Sequence, residues 1–332
     1  MEKIVFGKTG IRVSTFMMGT WEFARDAIWG DNAEELSIRA IHAALDAGIN
    51  FFDSAEGYGE GNAEKVLGRA LAGRRGDAVI ATKALAANLT KAGLAASCEK
   101  SLQRLGSDYI DIYQIHWPSR TIPLEETMEA LHDLLRQGKI RAIGVCNFGV
   151  QDLERLYKLG GAECDQLPYS LLNRAVEDAI LPACRSKGMM IMAYSPLAMG
   201  LLSGKYHRAE DVPAGRTNTR YYHHSRTAYT RHTEDGMEEL LFKTIADIRQ
   251  ICDETKISMN ALALAWLRAQ KAVDFVLCGV RNEKQLAGNL AAYNQTVSAD
   301  ILVRLTALSE GVKKALGGNP DLWQNGENAR IH

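Results

Sequence analysis

Four residues of this chain could do chemistry together: Asp53 and Tyr58 in FFDSAEGYGEG, Lys83 in VIATKA and His116 in IYQIHW. A carboxylate, a phenol, an amine and an imidazole are the parts needed to hand a proton to a carbonyl oxygen. A free tyrosine, with a pKa of roughly 10, is a poor acid at neutral pH. An adjacent ammonium favours the phenolate and is expected to lower that pKa. A lysine buried without a counter-charge would tend to lose its proton, so Asp53 is the natural partner that keeps Lys83 charged. Tyr58 then reads as general acid for reduction and as base for the reverse. His116 reads as a donor that orients the carbonyl oxygen. Each residue alone has a plainer reading: a turn cap for Asp53, a loop aromatic for Tyr58, a snorkelling amine for Lys83, a core histidine for His116. Their recurrence at successive strand ends outweighs those readings.

The elements that must position them alternate along the chain. The strand-like segments are VSTFMMG, INFFDSA, AVIATKA, YIDIYQIHW, IRAIGVCNF, CDQLPYS, MMIMAYSPL and FVLCGV, eight in all. Most are nearly continuous apolar runs, the pattern of parallel strands buried on both faces. Amphipathic helical patterns lie between them, several ending in glycine at a C-terminal cap position, among them Gly48, Gly106 and Gly188. Eight βα units predict a (β/α)8 TIM barrel, with active residues at the C-terminal strand ends. A doubly wound sheet is the alternative, disfavoured because no GxGxxG opens the first βα turn. An opening KIVFGKTGIRVS reads as a β-hairpin around Gly7 to Gly10. Two extra helices are expected, MEELLFKTIADIRQICDE and ILVRLTALSEGVKKAL. The polar stretch from about Gly204 to Gly236 reads as a long loop over the C-terminal face. No low-complexity linker divides the chain, so residues 1–332 are expected to form a single domain.

Composition narrows the function classes. The 332 residues are 46% hydrophobic and 24% charged, with a formal net charge of −1. That balance suits a globular protein and argues against a general nucleic-acid or anionic-membrane binder. Cys98, Cys146, Cys164, Cys184, Cys252 and Cys278 are scattered without a CxxC pair, which predicts reduced, mostly buried thiols. No signal-like or membrane-length apolar run is present, so the expected location is cytoplasmic. His223, His224 and His232 fall in the polar loop without an acidic ligand at close spacing, and no metal site is expected. One exposed helical face reads much like another, so no oligomer interface is assigned.

With these residues in place, the chain resembles the aldo-keto reductases over nearly its whole length. The resemblance is carried by MGTW, FFDSAEGYGEGNAEKVLGRAL, ATK, DIYQIHWP, IGVCNF, AYSPLAMGLLSGKY and GVRNEKQLAGNL. It implies a barrel that binds NADP(H) in extended form, with a tetrad of Asp53, Tyr58, Lys83 and His116. It implies Gly19, Thr20 and Trp21 beside the nicotinamide, Asn147 and Gln166 on its carboxamide, and Tyr194 stacked on its ring. Ser195, Pro196, Leu197, Gly200, Leu201, Gly204 and Lys205 correspond to the loop over the pyrophosphate. Gly279, Arg281, Gln285 and Asn289 correspond to the adenosine end, with Arg281 at a helix N-terminus suited to a 2′-phosphate. Arg216 and Arg220 are further candidates to clamp phosphate. Gly288 stands where the family often has Glu, a departure that bears on the choice of NADP over NAD. The expected substrate is a small carbonyl compound or its alcohol, with sugars among the candidates, contacted by Trp21, Tyr58, His116 and Trp117. Tyr221, Tyr222 and Trp323 are further aromatic candidates. The rival readings are a nucleotide-sensing binding module with slow turnover and a sugar dehydrogenase working mainly in the oxidative direction.

Overall fold

A computed structural model describes residues 1–25, 29–30 and 33–332. The chain opens with an antiparallel hairpin, β1 (Lys3–Val5) and β2 (Arg12–Ser14). Eight parallel strands then close into a barrel: β3 (Phe16–Gly19), β4 (Phe51–Asp53), β5 (Val79–Ala84), β6 (Ile110–Ile115), β7 (Ile140–Cys146), β8 (Cys164–Pro168), β9 (Met190–Tyr194) and β10 (Phe275–Gly279). Each strand bonds to its successor, and β10 closes on β3. This is the (β/α)8 barrel that the alternation predicts.

Around the barrel run α1 (Glu34–Asp46), α2 (Asn62–Ala70), α3 (Lys91–Leu105), α4 (Leu124–Arg136), α5 (Val150–Lys158) and α6 (Ile180–Ser186). The extra helix α7 (Glu238–Thr255) precedes α8 (Met259–Arg268) and α9 (Glu283–Asn294). The caps follow local chemistry. The Thr90 hydroxyl accepts from the Gly93 amide at 3.1 Å to start α3, and Gly106 ends it in the left-handed region. The segment ILVRLTALSEGVKKAL, expected as one helix, forms two: α10 (Ala299–Leu308) and α11 (Glu310–Leu316). The break falls at fully buried Ser309, whose hydroxyl donates to the Thr306 carbonyl and accepts from Arg174. A side-chain hydroxyl that competes for backbone groups disfavours an uninterrupted helix there.

Two apolar clusters hold the fold. The larger lies between the barrel wall and the helices, and the smaller fills the barrel interior. The hairpin plugs the bottom: Phe6 lies 5.8 Å from Phe51 and 5.7 Å from Phe275, which are themselves 5.3 Å apart, edge to face. The polar functional end is therefore the opposite one. The cysteines are all free, and five of the six are buried.

Inside the barrel, Gly144 of β7 sits in register with Gln114 of β6 and Cys164 of β8. A Cβ there would lie 2.8 Å from both the Cys164 Sγ and the Gln114 Cγ. Gly144→Ala is expected to cost about 1–3 kcal/mol through overpacking, read as a lower midpoint in denaturant unfolding. An unchanged midpoint would show that the interior has room the packing does not display.

Candidate active site

Strand alternation builds the site. Side chains two apart on a strand share a face, so the inward row runs Phe51 to Asp53 on β4, Ala81 to Lys83 on β5, and Ile112 through Gln114 to His116 at the end of β6. Pairing sets Asp53 against Ala81 and Lys83 against Gln114. The apolar members of each row fill the lower interior, and the polar members reach the top. Tyr58 arrives from the loop after β4. That loop turns at Gly59 (φ +57°), where a Cβ would stand 2.1 Å from the Ala24 carbonyl oxygen, so only glycine fits.

The four side chains converge. The fully buried Lys83 Nζ donates to Asp53 Oδ2 at 2.6 Å, to the Ser54 carbonyl at 2.7 Å and to the Tyr58 hydroxyl at 3.3 Å. The Tyr58 ring stacks on Trp21 at 5.8 Å and meets the His116 ring edge-on at 5.7 Å. Gln166 Nε2 donates to Asp53 Oδ1 at 2.8 Å, and Gln114 Nε2 reaches the same oxygen at 3.4 Å. The buried carboxylate thus has partners on both oxygens.

The electrostatics partly depart from the sequence expectation. Burial pushes the Tyr58 phenol up to about 12; Lys83 pulls it down and Asp53 pushes it up again. The ammonium acts in the expected direction, but desolvation of the phenolate outweighs it. Burial also disfavours the Lys83 ammonium, yet Asp53 and Tyr58 hold its pKa above the usual lysine range. His116 is held well below the ordinary imidazole range, first by burial and then by Lys83 and Arg330. A neutral phenol, a charged lysine and a neutral imidazole therefore face one point.

Above them opens a cleft of about 770 Å³. Its walls include Gly19, Trp21, Asn147, Gln166, Tyr194, Ser195, Pro196, Leu197, Gly200, Lys205, Arg216, Gly279, Arg281 and Gln285, along with Asp53, Tyr58, His116 and Trp117. Asn147 and Ser195 follow β7 and β9 in left-handed backbone, φ +62° and +54°, conformations that non-glycine residues seldom hold outside functional turns. Tyr194 donates to Asn147 Oδ1 at 2.9 Å, and Asn147 Nδ2 donates to the His116 carbonyl. At the far end, Arg281 donates to the Trp29 carbonyl at 2.5 Å, and Arg216 lies 4.7 Å over the Trp29 ring with its Nε buried and without a hydrogen-bond partner among the described residues.

Several expected residues stand elsewhere. Thr20 is buried, its hydroxyl donating to the Asp53 carbonyl at 2.9 Å, so it supports the strand end from behind. Leu201 is core, and Gly204 lies outside the cleft wall. Asn289 is buried and donates to the Gly279 carbonyl at 3.2 Å. Arg220, expected as a phosphate clamp, is instead a structural staple. It pairs with Glu234 at 2.8 Å and donates to the carbonyls of Leu316, Asn319 and Asp321. Tyr221 and Tyr222 are buried away from the cleft. Folding also brings Asp235 to the exposed His223–His224 pair, 3.6 Å from His223 Nε2, a neighbour that spacing did not suggest.

Sequence reasoning missed Gln114, Trp29 and Arg330. Gln114 carried a signal, a polar residue mid-strand two positions before His116. Arg330 carried none, because only the fold returns the C-terminal segment to the cleft.

Removing Lys83 would leave Asp53 buried and uncompensated. Lys83→Met is expected to destabilise the protein by about 3–5 kcal/mol, measured by denaturant unfolding, and a loss under 1 kcal/mol would count against a charged pair. The depressed His116 pKa has a pH consequence with a definite sign. Its folded value lies below the unfolded value of about 6.5, so the unfolded state binds more protons under that pH. The contribution to stability is present above about pH 6.5 and is lost as pH falls below it. NMR of the ring nitrogens should show His116 neutral across about pH 6–8; a midpoint near 6.5 would refute this.

Comparison with known proteins agrees with this geometry. The Aldo/keto reductase family model matches residues 15–310. The chain is 33% identical to an NADH-specific methylglyoxal reductase of Escherichia coli (strain K12), over 95% of this chain and 100% of that protein. It is 32% identical to the aldo-keto reductase YhdN of Bacillus subtilis (strain 168), over 86% and 87%. A crystal structure of an aldo/keto reductase from Klebsiella pneumoniae in complex with NADP and acetate superposes with a TM-score of 0.73 at 28% identity, covering 92% of this chain and 95% of that one. With a closed eight-stranded barrel and Asp53, Lys83, Tyr58 and His116 gathered at its C-terminal face, this chain belongs to the aldo/keto reductase family, the oxidoreductases of carbonyl compounds.

Proposed function

We propose that this protein is an NADP(H)-dependent reductase of an aldehyde or ketone, with Tyr58 as the proton donor. The observation that carries the reading is the Lys83 Nζ held between Asp53 Oδ2 at 2.6 Å and the Tyr58 hydroxyl at 3.3 Å, beneath an open cleft. The donor chemistry of the cleft suits an extended, phosphorylated dinucleotide. Lys205, Arg216, Arg231 and Arg281 line it, while Glu22 and Asp53 are the acids on its wall among the described residues. The buried unpaired Nε of Arg216 fits an acceptor supplied by a ligand. The same cations favour NADP over NAD, although the Escherichia coli relative is named NADH-specific. Tyr194 and Trp21 would flank the nicotinamide, and Arg281 would hold the 2′-phosphate. When bound, the reduced cofactor supplies hydride to the carbonyl carbon.

The residues then divide the remaining work. Tyr58 gives its proton to the carbonyl oxygen, and Lys83 stabilises the phenolate left behind. Asp53 keeps Lys83 charged, and Gln166 and Gln114 keep Asp53 in place. The His116 ring, neutral and beside Tyr58, orients the oxygen. The phenol's pKa of about 12 leaves Tyr58 protonated at neutral pH. Reduction consumes this acid form. The buried Asp53–Lys83 pair itself argues against a pure nucleotide sensor, which has no need of it.

Tyr58→Phe is expected to lower kcat for aldehyde reduction by about 10²–10⁴-fold, with NADPH affinity by fluorescence titration changed little. A variant that kept its rate would remove Tyr58 as the acid. Arg281→Ala is expected to cut the kcat/KM preference for NADPH over NADH by roughly tenfold or more, the scale of one charged hydrogen bond. Equal use of both cofactors by the unaltered protein would reject the NADP assignment.

A further inference from the structure

Resting on the reductase reading, we propose that Arg330 recognises the substrate, and that this protein prefers carbonyl compounds carrying a carboxylate. Arg330 reaches the cleft from the C-terminal segment, and Trp323 lines the cleft beside it. Its guanidinium carbon lies 3.5 Å from the centre of the Trp117 ring, directly after His116 in the chain. Trp323 meets the same Trp117 ring edge-on at 6.3 Å. Stacking on an aromatic face fixes the guanidinium plane.

The orientation within that plane is fixed as well. Nε and Nη2 donate to the two oxygens of Asp321 at 2.8 Å each. Asp321 is fully buried, and it also accepts from the Trp323 and Arg330 amides. The Arg330 carbonyl is bonded by Arg120, which pairs with Asp152 at the start of α5. These contacts engage Nε, Nη2 and the backbone carbonyl. Nη1 has no hydrogen-bond partner among the described residues, and the side chain is 27% exposed.

A latch for the tail would need only the Arg330–Asp321 pair. It would not need the cation against the tryptophan that adjoins His116, nor an unused N–H edge on a cleft wall. The charge is felt at the reacting end, since Arg330 is among the cations that depress the His116 pKa. The wall there is aromatic, formed by Trp21, Tyr58, Trp117 and Trp323. Of the acids lining the cleft, Asp53 is paired with Lys83 and Glu22 lies against Gly279 of β10. An oriented Nη1 among apolar walls suits an oxyanion, and a substrate carboxylate would accept a charge-assisted hydrogen bond there. The substrate this predicts has an aldehyde at one end of a flat or short frame and a carboxylate at the other.

The test compares 4-carboxybenzaldehyde with its neutral methyl ester, using NADPH. The unaltered protein should favour the acid in kcat/KM, on the order of tenfold or more for a charged hydrogen bond. Arg330→Met combined with Asp321→Asn, which leaves no buried carboxylate unpaired, should abolish that ratio. Arg330→Lys, which keeps charge without the fork, should fall between. No preference for the acid in the unaltered protein, or an equal fall for both substrates in the variants, would overturn the proposal. Benzoate binding, followed by tryptophan fluorescence, separates this inference from the reductase reading. Arg330-dependent binding without turnover of either aldehyde sinks the reductase reading alone, whereas binding indifferent to Arg330 sinks the present one.

Discussion

A protonated amine sealed inside a barrel is the constraint on which the site depends. Lys83 is fully buried, and an isolated ammonium there would lose its proton or unfold its surroundings. It stays charged because Asp53 lies 2.6 Å away and the Ser54 carbonyl accepts a second hydrogen bond from Nζ. Asp53 in turn would be an expensive buried anion, and Gln166 and Gln114 meet its second oxygen. The arrangement is closed on every side but one, and the remaining direction of Nζ is the Tyr58 hydroxyl. That hydroxyl is the group the proposed proton transfer would use.

The barrel supplies the precision. Parallel pairing fixes each strand against its neighbour, so Lys83, Gln114 and Gln166 from three strands all come within hydrogen-bond reach of Asp53 on a fourth. Loops would hold these groups less exactly placed in energy, because each backbone bond would be free to adjust. The one tetrad member carried by a loop, Tyr58, is compensated by a glycine turn against the Ala24 backbone and by the Trp21 ring on its face.

Arginine also has a structural role in this fold. Arg220 is nearly buried and ties the long loop to the carbonyls of the C-terminal segment, while Arg120 and Arg330 tie that segment to α5 and to Asp321. A planar guanidinium with five donors can bond several carbonyls at once, which a lysine cannot. The wall of the substrate end is built from two stretches remote in sequence, held by these few side chains.

The sequence by itself determined the barrel and the tetrad. Apolar strands alternating with amphipathic helices leave few ways to bury every face, and Asp53, Lys83 and His116 each end a strand whose pattern is local. The family resemblance pointed to Trp21, Asn147, Tyr194 and Arg281, which lie along what became the cleft wall. Tertiary structure alone decided the rest. The phenol's pKa depends on how fully the folded chain excludes water, which the residue types do not state, and burial reversed the shift that the neighbouring charge alone would give. The separate fates of Arg216 on the cleft and Arg220 in the staple, four residues apart in one polar loop, were set by which carbonyls and rings came within reach. Arg330 came to the cleft wall because Trp117, over two hundred positions earlier, meets it only in the closed fold. Periodicity records which face a side chain presents, but partners across long loops are fixed by packing, and packing leaves no mark on local sequence.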